Sequence, residues 1–447
     1  MKVFSLINCF SRSPVIISKA DLFVTILFLF LLSVAGWLPF LLFPISMMCL
    51  LVASKLITKD AKTILATTMP FALFAMAITI LGEPTLRYAD SDFVAYYNNY
   101  LSFLIEREVS SSTSAHWGGA PWGGGVEVGI PSLHFIFSKI IQAPAPFVVK
   151  LFHAILLESL LVCILFQISK KLKLKIQDFV ILICFVFVFI KFSGMFNHLR
   201  QSYSSLIIIL ALFSDSKFKR KLLVLCACTF HLSTLVVYPL CNWLFYSRVK
   251  YKMVMIFSVF FAAVIIVLMP FLVDLVAAQF KNSLILSKII WSLFRSQEEN
   301  SVLNSLITTL TRLMYLLPII ILAIATKKIK TDGFLISLFV FIIVLSFYFL
   351  PGFAVRIFQI FLMVMVGYLY FASFNKRTYR SPLVYSILIF FLFVHTILWL
   401  RNSFYFYELP LISSEPFEYL SVITEERYII NRQSLPTIET FIRRIDN

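Results

Sequence analysis

The chain has 447 residues with a formal net charge of +17; 60% of its residues are hydrophobic and only 14% are charged. Soluble domains carry about 25% charged residues, so this composition excludes a soluble protein. Repeated apolar runs of about 20 residues indicate membrane helices instead. The basic residues fall mostly in short loops between these runs, which is the positive-inside pattern. No RNA- or DNA-binding motif accompanies the charge, so nucleic acid is not an expected partner.

The apolar runs predict an all-α, polytopic integral membrane protein with about 10–12 transmembrane or re-entrant helices. Residues 1–400 are expected to form a single helical domain, and residues 401–447 a tail on its outer face. Long outer loops are expected at about 83–130 and 281–305, and a short amphipathic or re-entrant helix at 131–142. The remaining helices are expected at about 20–36, 38–54, 63–82, 145–169, 177–195, from Arg200 to a basic break K-F-K-R-K, 253–280, 306–326, 334–350, 354–374 and 382–400.

The segment 222–246 is apolar but has basic residues at both ends. If both ends are cytoplasmic, the segment enters the membrane and returns as a re-entrant hairpin. It either turns near His231–Thr234 or is broken at Pro239.

Three arginines lie at helix ends on the face opposite the basic loops. The basic loops fall at 55–62, 170–175, 217–221, 327–330 and 376–380, and they place Arg87, Arg200 and Arg356 on the outer face. Arginine binds phosphate bidentately, so the three are expected to gather around one anion such as a diphosphate. The alternative is that each arginine reaches lipid headgroups or pairs with a nearby acid.

Aromatic residues are concentrated in the predicted outer loop at 83–130. Tyr96 and Tyr97, with Trp117 and Trp122 in a glycine-rich piece at 116–125, are candidates for stacking on sugar rings. The alternative is the aromatic belt found at membrane interfaces. The glycine-rich piece is also a candidate for a mobile lid.

A set of short motifs recurs in order along the chain. They are R-Y-x-D (Arg87 and Asp90), Y-Y (Tyr96 and Tyr97), E-x-G (Glu127 and Gly129), N-x-x-R-Q (Asn197, Arg200 and Gln201), F-H-x-S (Phe230, His231 and Ser233) and a late V-R-I-F (Arg356). In this order the chain resembles the EpsG/Wzy-type bacterial polysaccharide polymerases over about residues 83–360.

The resemblance implies a glycosyltransferase that polymerises O-antigen, capsule or exopolysaccharide repeat units. Donor and acceptor are both undecaprenyl-diphosphate-linked oligosaccharides. The implied site faces the periplasm, in a multi-pass protein of the bacterial inner membrane. Membrane lipids are expected partners, and a chain-length regulator protein is a further candidate partner. No cofactor and no metal site are expected.

Departure of the lipid diphosphate develops negative charge, which fixed cations stabilise. Arg200 and Arg356 are the first candidates for this role, with Arg87 third. Gln201 and His198, which flank Arg200, are candidates for substrate binding. Asp90, Glu127 and His231 are candidates for the base that accepts the proton of the acceptor hydroxyl.

Each candidate base also has a structural alternative. His231 fits a core histidine bonded to a neighbouring group, and Glu127 fits a solvated loop acid. Asp90 lies three residues after Arg87, so the two can pair on one helical face.

Other functions use similar residues. An O-antigen ligase uses the same donor but a different acceptor, and a flippase would be expected to show repeat symmetry or a cation pathway across the bilayer. A membrane O-acyltransferase would use His231, but its cytoplasmic acyl donor disagrees with arginines on the outer face. A purely structural protein does not need Arg200 and His231 in one apolar stretch.

Overall fold

A computed structural model describes residues 92–104, 127–190, 198–246, 364–368 and 370–372, and the single positions 195, 256, 260 and 390. The described residues are helical and form no strand, which confirms the all-α prediction for this part of the chain. The tail at 401–447, the loop at 281–305 and the helices predicted before residue 83 lie outside it. The helices are α1 (Asp92–Leu104), α2 (Gly129–Ile141), α3 (Pro146–Leu172), α4 (Ile176–Phe189), α5 (Leu199–Phe213), α6 (Lys217–Phe230) and α7 (Thr234–Tyr246).

One helix in the described part is long and apolar enough to cross a membrane, at Val148–Leu172 within α3. Helices α2 and α5 are apolar but have only 13 and 15 residues. The span in α3 is consistent with a membrane protein. The number of membrane segments and their orientation stay predictions.

The ends of α3 follow from its terminal residues. Pro146 begins the helix, where its fixed φ is favourable and its missing N–H costs nothing. Lys173 ends it in the left-handed region at φ 52°, and the Leu174 N–H bonds the Ser169 carbonyl at 3.0 Å. The helix therefore covers the predicted 145–169 and extends to Leu172.

Helix α1 corrects the prediction of a continuous loop at 83–130. Four of its buried residues, Tyr96, Tyr97, Tyr100 and Leu101, repeat at positions i, i+1, i+4 and i+5, and Asn99, Ser102 and Phe103 are buried as well. That spacing places the four side chains on one side of a helix, where they pack against α2. The sequence therefore contained the helical signal, but the polar residues around it favoured a loop.

The segment 222–246 forms two helices separated by a short break. His231 leaves the helical conformation and ends α6, and α7 begins at Thr234, so the break falls where the hairpin turn was predicted. Pro239 lies inside α7, so the alternative break at that residue is wrong. The K-F-K-R-K stretch is not a break either, because it forms the start of α6 after the capping residue Ser216.

Helix α5 is the centre of the described core. It is buried on nearly every side, and it packs mainly on α6 and α3. Its small polar residues are satisfied locally: the Ser202 hydroxyl donates to the Met195 carbonyl at 2.6 Å, and Ser204 and Thr234 share a hydrogen bond of 2.5 Å.

The helical residues 364–368 and 370–372 pack on α4. Tyr370 stacks on Phe189 and Phe185, with ring centroids 4.6 and 5.9 Å apart. A Cβ at Gly367 would lie 2.5 Å from the Val186 Cα, so only glycine permits this approach. These residues belong to the helix predicted at 354–374, and they confirm it over the described positions.

Candidate active site

A single carboxylate, that of Glu127, joins three separate segments of the chain. Arg200 Nη1 donates to Glu127 Oε2 at 2.6 Å. His231 Nδ1 lies 3.1 Å from Glu127 Oε1, and the Leu232 backbone N–H donates to the same oxygen at 3.0 Å. Both carboxylate oxygens therefore have charged or strongly polar partners.

The three side chains meet because of where their helices begin and end. Glu127 lies two residues before α2, Arg200 is in the first turn of α5, and His231 is in the break between α6 and α7. Glu127 is 73 residues from Arg200 and 104 from His231 along the chain. The site is thus built at helix termini, where irregular backbone can point an N–H such as that of Leu232 inward.

The surroundings of Glu127 keep it ionised. Burial of the carboxyl opposes ionisation, but the hydrogen bond from His231, the positive charge of Arg200 and the Leu232 N–H outweigh burial. Together they hold the pKa of Glu127 well below its usual range. A carboxylate of such low basicity is a poor proton acceptor, so Glu127 is suited to orient its neighbours and to compensate charge.

The contact with Glu127 also determines the tautomer of neutral His231. A carboxylate only accepts hydrogen bonds, so Nδ1 must carry the hydrogen. The lone pair of the neutral ring is then on Nε2. The His231 side chain is 31% exposed while that of Glu127 is 13% exposed, so the imidazole lies at the accessible edge of the cluster. This arrangement suits Nε2 to accept a proton from a bound substrate.

Arg200 contacts two groups in the site. Besides its ion pair with Glu127, its guanidinium donates a hydrogen bond to the hydroxyl of Tyr96 in α1. A guanidinium has five N–H donors, so it can hold a carboxylate and a phosphate oxygen together. The prediction that Arg200 pairs with an acid and the prediction that it binds phosphate are therefore compatible.

Gly129 explains the glycine of the E-x-G motif. A Cβ at this position would lie 2.7 Å from the Phe230 ring, which precedes His231 and stacks on Tyr203 at 4.9 Å. The glycine therefore lets the start of α2 approach the end of α6 closely. This approach brings Glu127 to the break that carries His231.

We expect Gly129→Ala to displace the Phe230 ring and to lower both stability and activity. Overpacking of this kind costs about 1–3 kcal/mol, which should appear as a lower thermal-unfolding midpoint in detergent. Ser132→Ala, one turn further along α2, is the control because its hydroxyl bonds only its own helix at the Val128 carbonyl. Equal midpoints for the two variants would contradict the close approach.

The other predicted site residues divide into three groups. Gln201 is buried, and its Nε2 has no hydrogen-bond partner among the described residues. Tyr97 packs against Tyr100 in the core, and His198 precedes α5 and accepts from Ser202 through its carbonyl. The remaining residues lie outside the described part: Arg87, Asp90, Trp117, Trp122 and Arg356.

Sequence reasoning did not anticipate two features of this region. Tyr96 was considered for sugar stacking, yet it contacts the Arg200 guanidinium from a buried position. His134 and His153 looked scattered in the sequence, yet their Nε2 atoms are 3.0 Å apart. No local spacing signals either contact, because both form between helices.

The fold and the site together define a helical protein whose buried carboxylate is held between an arginine and a histidine. The chain belongs to the EpsG family: the family model matches residues 68–413, a range that includes all of the described residues. This is the family of Wzy-type polymerases, so the predicted resemblance is confirmed, and membership connects the chain with polysaccharide biosynthesis. No curated protein and no solved structure matches the chain.

Proposed function

We propose that this protein polymerises undecaprenyl-diphosphate-linked oligosaccharides at the periplasmic face of the bacterial inner membrane. The observation that carries the proposal is Glu127, which holds Arg200 on one oxygen and His231 on the other. Such a cluster offers a cation for the departing diphosphate beside an oriented base for the attacking hydroxyl. Glycosyl transfer from a lipid diphosphate requires both.

The reaction follows from these roles. A hydroxyl at the non-reducing end of the acceptor unit attacks the anomeric carbon of the donor glycan, and its proton passes to His231 Nε2. The new C–O bond forms as the bond to the lipid diphosphate breaks, and the diphosphate leaves with the bonding electrons. Arg200 stabilises the charge that develops on the leaving group. Glu127 stabilises the imidazolium, as a carboxylate does for a catalytic histidine.

The candidates outside the described residues keep their proposed roles. Arg356 and Arg87 are proposed to share the diphosphate with Arg200, since it has enough oxygens for more than one guanidinium. Trp117 and Trp122 are proposed to stack on sugars, and Asp90 is the alternative base. The proposed partners are the lipid-linked donor and acceptor, membrane lipids and a chain-length regulator.

An O-antigen ligase is the main rival, because it uses the same donor. A flippase for the lipid-linked glycan is the second. The Glu127–Arg200–His231 cluster favours an enzyme over a flippase, since transport does not require an oriented base. It does not separate polymerase from ligase, because that difference lies in the acceptor.

Gels of surface polysaccharide test the proposal in cells that lack this protein, complemented with wild type or with Arg200→Ala. We expect deletion to remove the long ladder but leave a single-unit band, and Arg200→Ala to do the same at normal protein level. Arg220→Ala is the matched control, since Arg220 bonds the Ser214 carbonyl beyond the opposite end of α5, and it should restore the ladder. Loss of every polysaccharide band would indicate a ligase or flippase, and a full ladder with Arg200→Ala would remove that residue from the mechanism.

A further inference from the structure

Four buried side chains form a continuous line of hydrogen bonds beside the site. Asn99 Oδ1 lies 2.9 Å from His134 Nδ1, and His134 Nε2 lies 3.0 Å from His153 Nε2. His153 Nδ1 then lies 2.9 Å from the Tyr203 hydroxyl. We call these four residues the polar chain. They come from α1, α2, α3 and α5 respectively, and both imidazoles are fully buried.

The polar chain can be satisfied without any buried charge. Because the Asn99 oxygen accepts, His134 carries its hydrogen on Nδ1 and presents a lone pair on Nε2. His153 must then donate from Nε2, which leaves its Nδ1 to accept from the Tyr203 hydroxyl. All four ring nitrogens are used with both rings neutral, so the chain has one defined direction. A fully satisfied buried network of this kind specifies a single arrangement of the elements that it joins.

Each helix end that builds the site lies close to a member of this chain. Tyr96, which contacts Arg200, is three residues before Asn99 on α1, and Arg200 is three residues before Tyr203 on α5, so each pair shares a helix face. Glu127 lies two residues before α2, which carries His134. The Tyr203 ring stacks on Phe230, the residue before His231.

We propose that the polar chain of Asn99, His134, His153 and Tyr203 sets the register of α1, α2 and α5, and so positions Tyr96, Glu127 and Arg200 for catalysis. Its members are positioning residues, because the hydrogen bonds that define the polar chain run among its own side chains and not to the Glu127 cluster. Apolar packing alone lets helices slide slightly, whereas directional hydrogen bonds do not. A displacement of about 1 Å at a reacting group can cost about 100-fold in rate. This inference rests on the proposed polymerase function.

The test compares two substitutions that each remove one tyrosine hydroxyl. Tyr203→Phe deletes the end of the polar chain but keeps the ring that stacks on Phe230. Tyr100→Phe is the matched control: Tyr100 is also buried and lies on α1, but its hydroxyl donates to the Ala143 carbonyl at 2.7 Å, outside the chain. The full-length proteins are assayed in lipid nanodiscs, with lipid-linked repeat units extracted from cells that lack this protein as substrate.

We expect Tyr203→Phe to lower kcat about tenfold with little change in KM, and Tyr100→Phe to keep the wild-type kcat. Tyr203→Phe should lose more thermal stability than Tyr100→Phe, since it leaves the buried Nδ1 of His153 without its donor whereas the Tyr100 bond is only part-buried, so kcat is compared per folded molecule. Equal kcat per folded molecule in the two variants would overturn the proposal, because a merely structural role predicts it. If wild type makes no polymer from these units, the proposed function fails and the inference fails with it.

A second pair of variants tests the middle of the polar chain. This pair tests the positioning role even if Tyr203→Phe does not fold. The His134→Gln amide can reach the position of Nε2 and bond His153, whereas His134→Leu removes every polar contact. We expect Gln to retain a several-fold higher kcat per folded molecule than Leu. Equal values for Gln and Leu would overturn the positioning role.

Discussion

Glu127→Gln is expected to reduce polymerisation at least about 100-fold, comparable to the loss of one preorganised polar group in other active sites. The amide is nearly the same size but neutral, so it cannot compensate the guanidinium of Arg200 or stabilise an imidazolium at His231. Its NH2 group also cannot accept the hydrogen bonds that both carboxylate oxygens accept now. The measurement is turnover of lipid-linked repeat units by the purified protein, together with the polysaccharide ladder in cells.

Two observations control this result. Glu127→Asp keeps the charge on a shorter side chain and should retain part of the activity.

Stability should depend on pH in a defined direction: because the pKa of Glu127 is depressed in the folded protein, its stabilisation is present above the unfolded carboxyl pKa of about 4.3. It is lost as pH falls below that value. The difference in unfolding midpoint between wild type and Glu127→Gln should thus shrink as pH falls from about 5 to 3, and a difference that grows over that range would contradict the ion pair.

His231→Asn is expected to lower kcat by about 100-fold or more, as removal of a general base does, while leaving the cluster folded. The asparagine amide can occupy the position of Nδ1 and still donate to Glu127, but nothing replaces Nε2. This substitution therefore separates the orienting contact from proton transfer. The measurement is kcat together with the unfolding midpoint of the same preparation.

The control for His231→Asn lies on the same helix end. Thr229→Ala removes an exposed hydroxyl that bonds only the Cys226 carbonyl, and it should have wild-type kcat. If His231→Asn were as active as Thr229→Ala, Nε2 would not be the base, and Asp90 would become the next candidate.

Much of the local structure was readable from the sequence. The short helix expected at 131–142 is found at Gly129–Ile141, and the helix expected at 145–169 is found at Pro146–Leu172. Both are strongly apolar segments with clear ends, where local propensity and tertiary structure agree. The predicted turn near His231 was also correct, since a polar F-H-x-S stretch interrupts an apolar run there.

The errors have a common cause. Helix α1 was missed because its sequence is rich in polar residues and tyrosines, although Tyr96, Tyr97, Tyr100 and Leu101 repeat at helical spacing. The start of α6 was missed because a run of basic residues looked like a loop. In both cases a segment rich in polar residues forms a helix: α1 is held by burial of its apolar side chains, whereas the exposed start of α6 has the Ser216 cap.

The sequence by itself determined that this is a helical protein with long apolar segments, and it identified the family. Long apolar runs need a membrane or a large core whatever their neighbours are, and the order of the short motifs identified the family that the comparison confirmed. Only the tertiary structure decided that Glu127 lies between Arg200 and His231, and that His134 meets His153. Those contacts join residues far apart in the chain, and their geometry depends on how helices pack, which no local pattern of residues encodes.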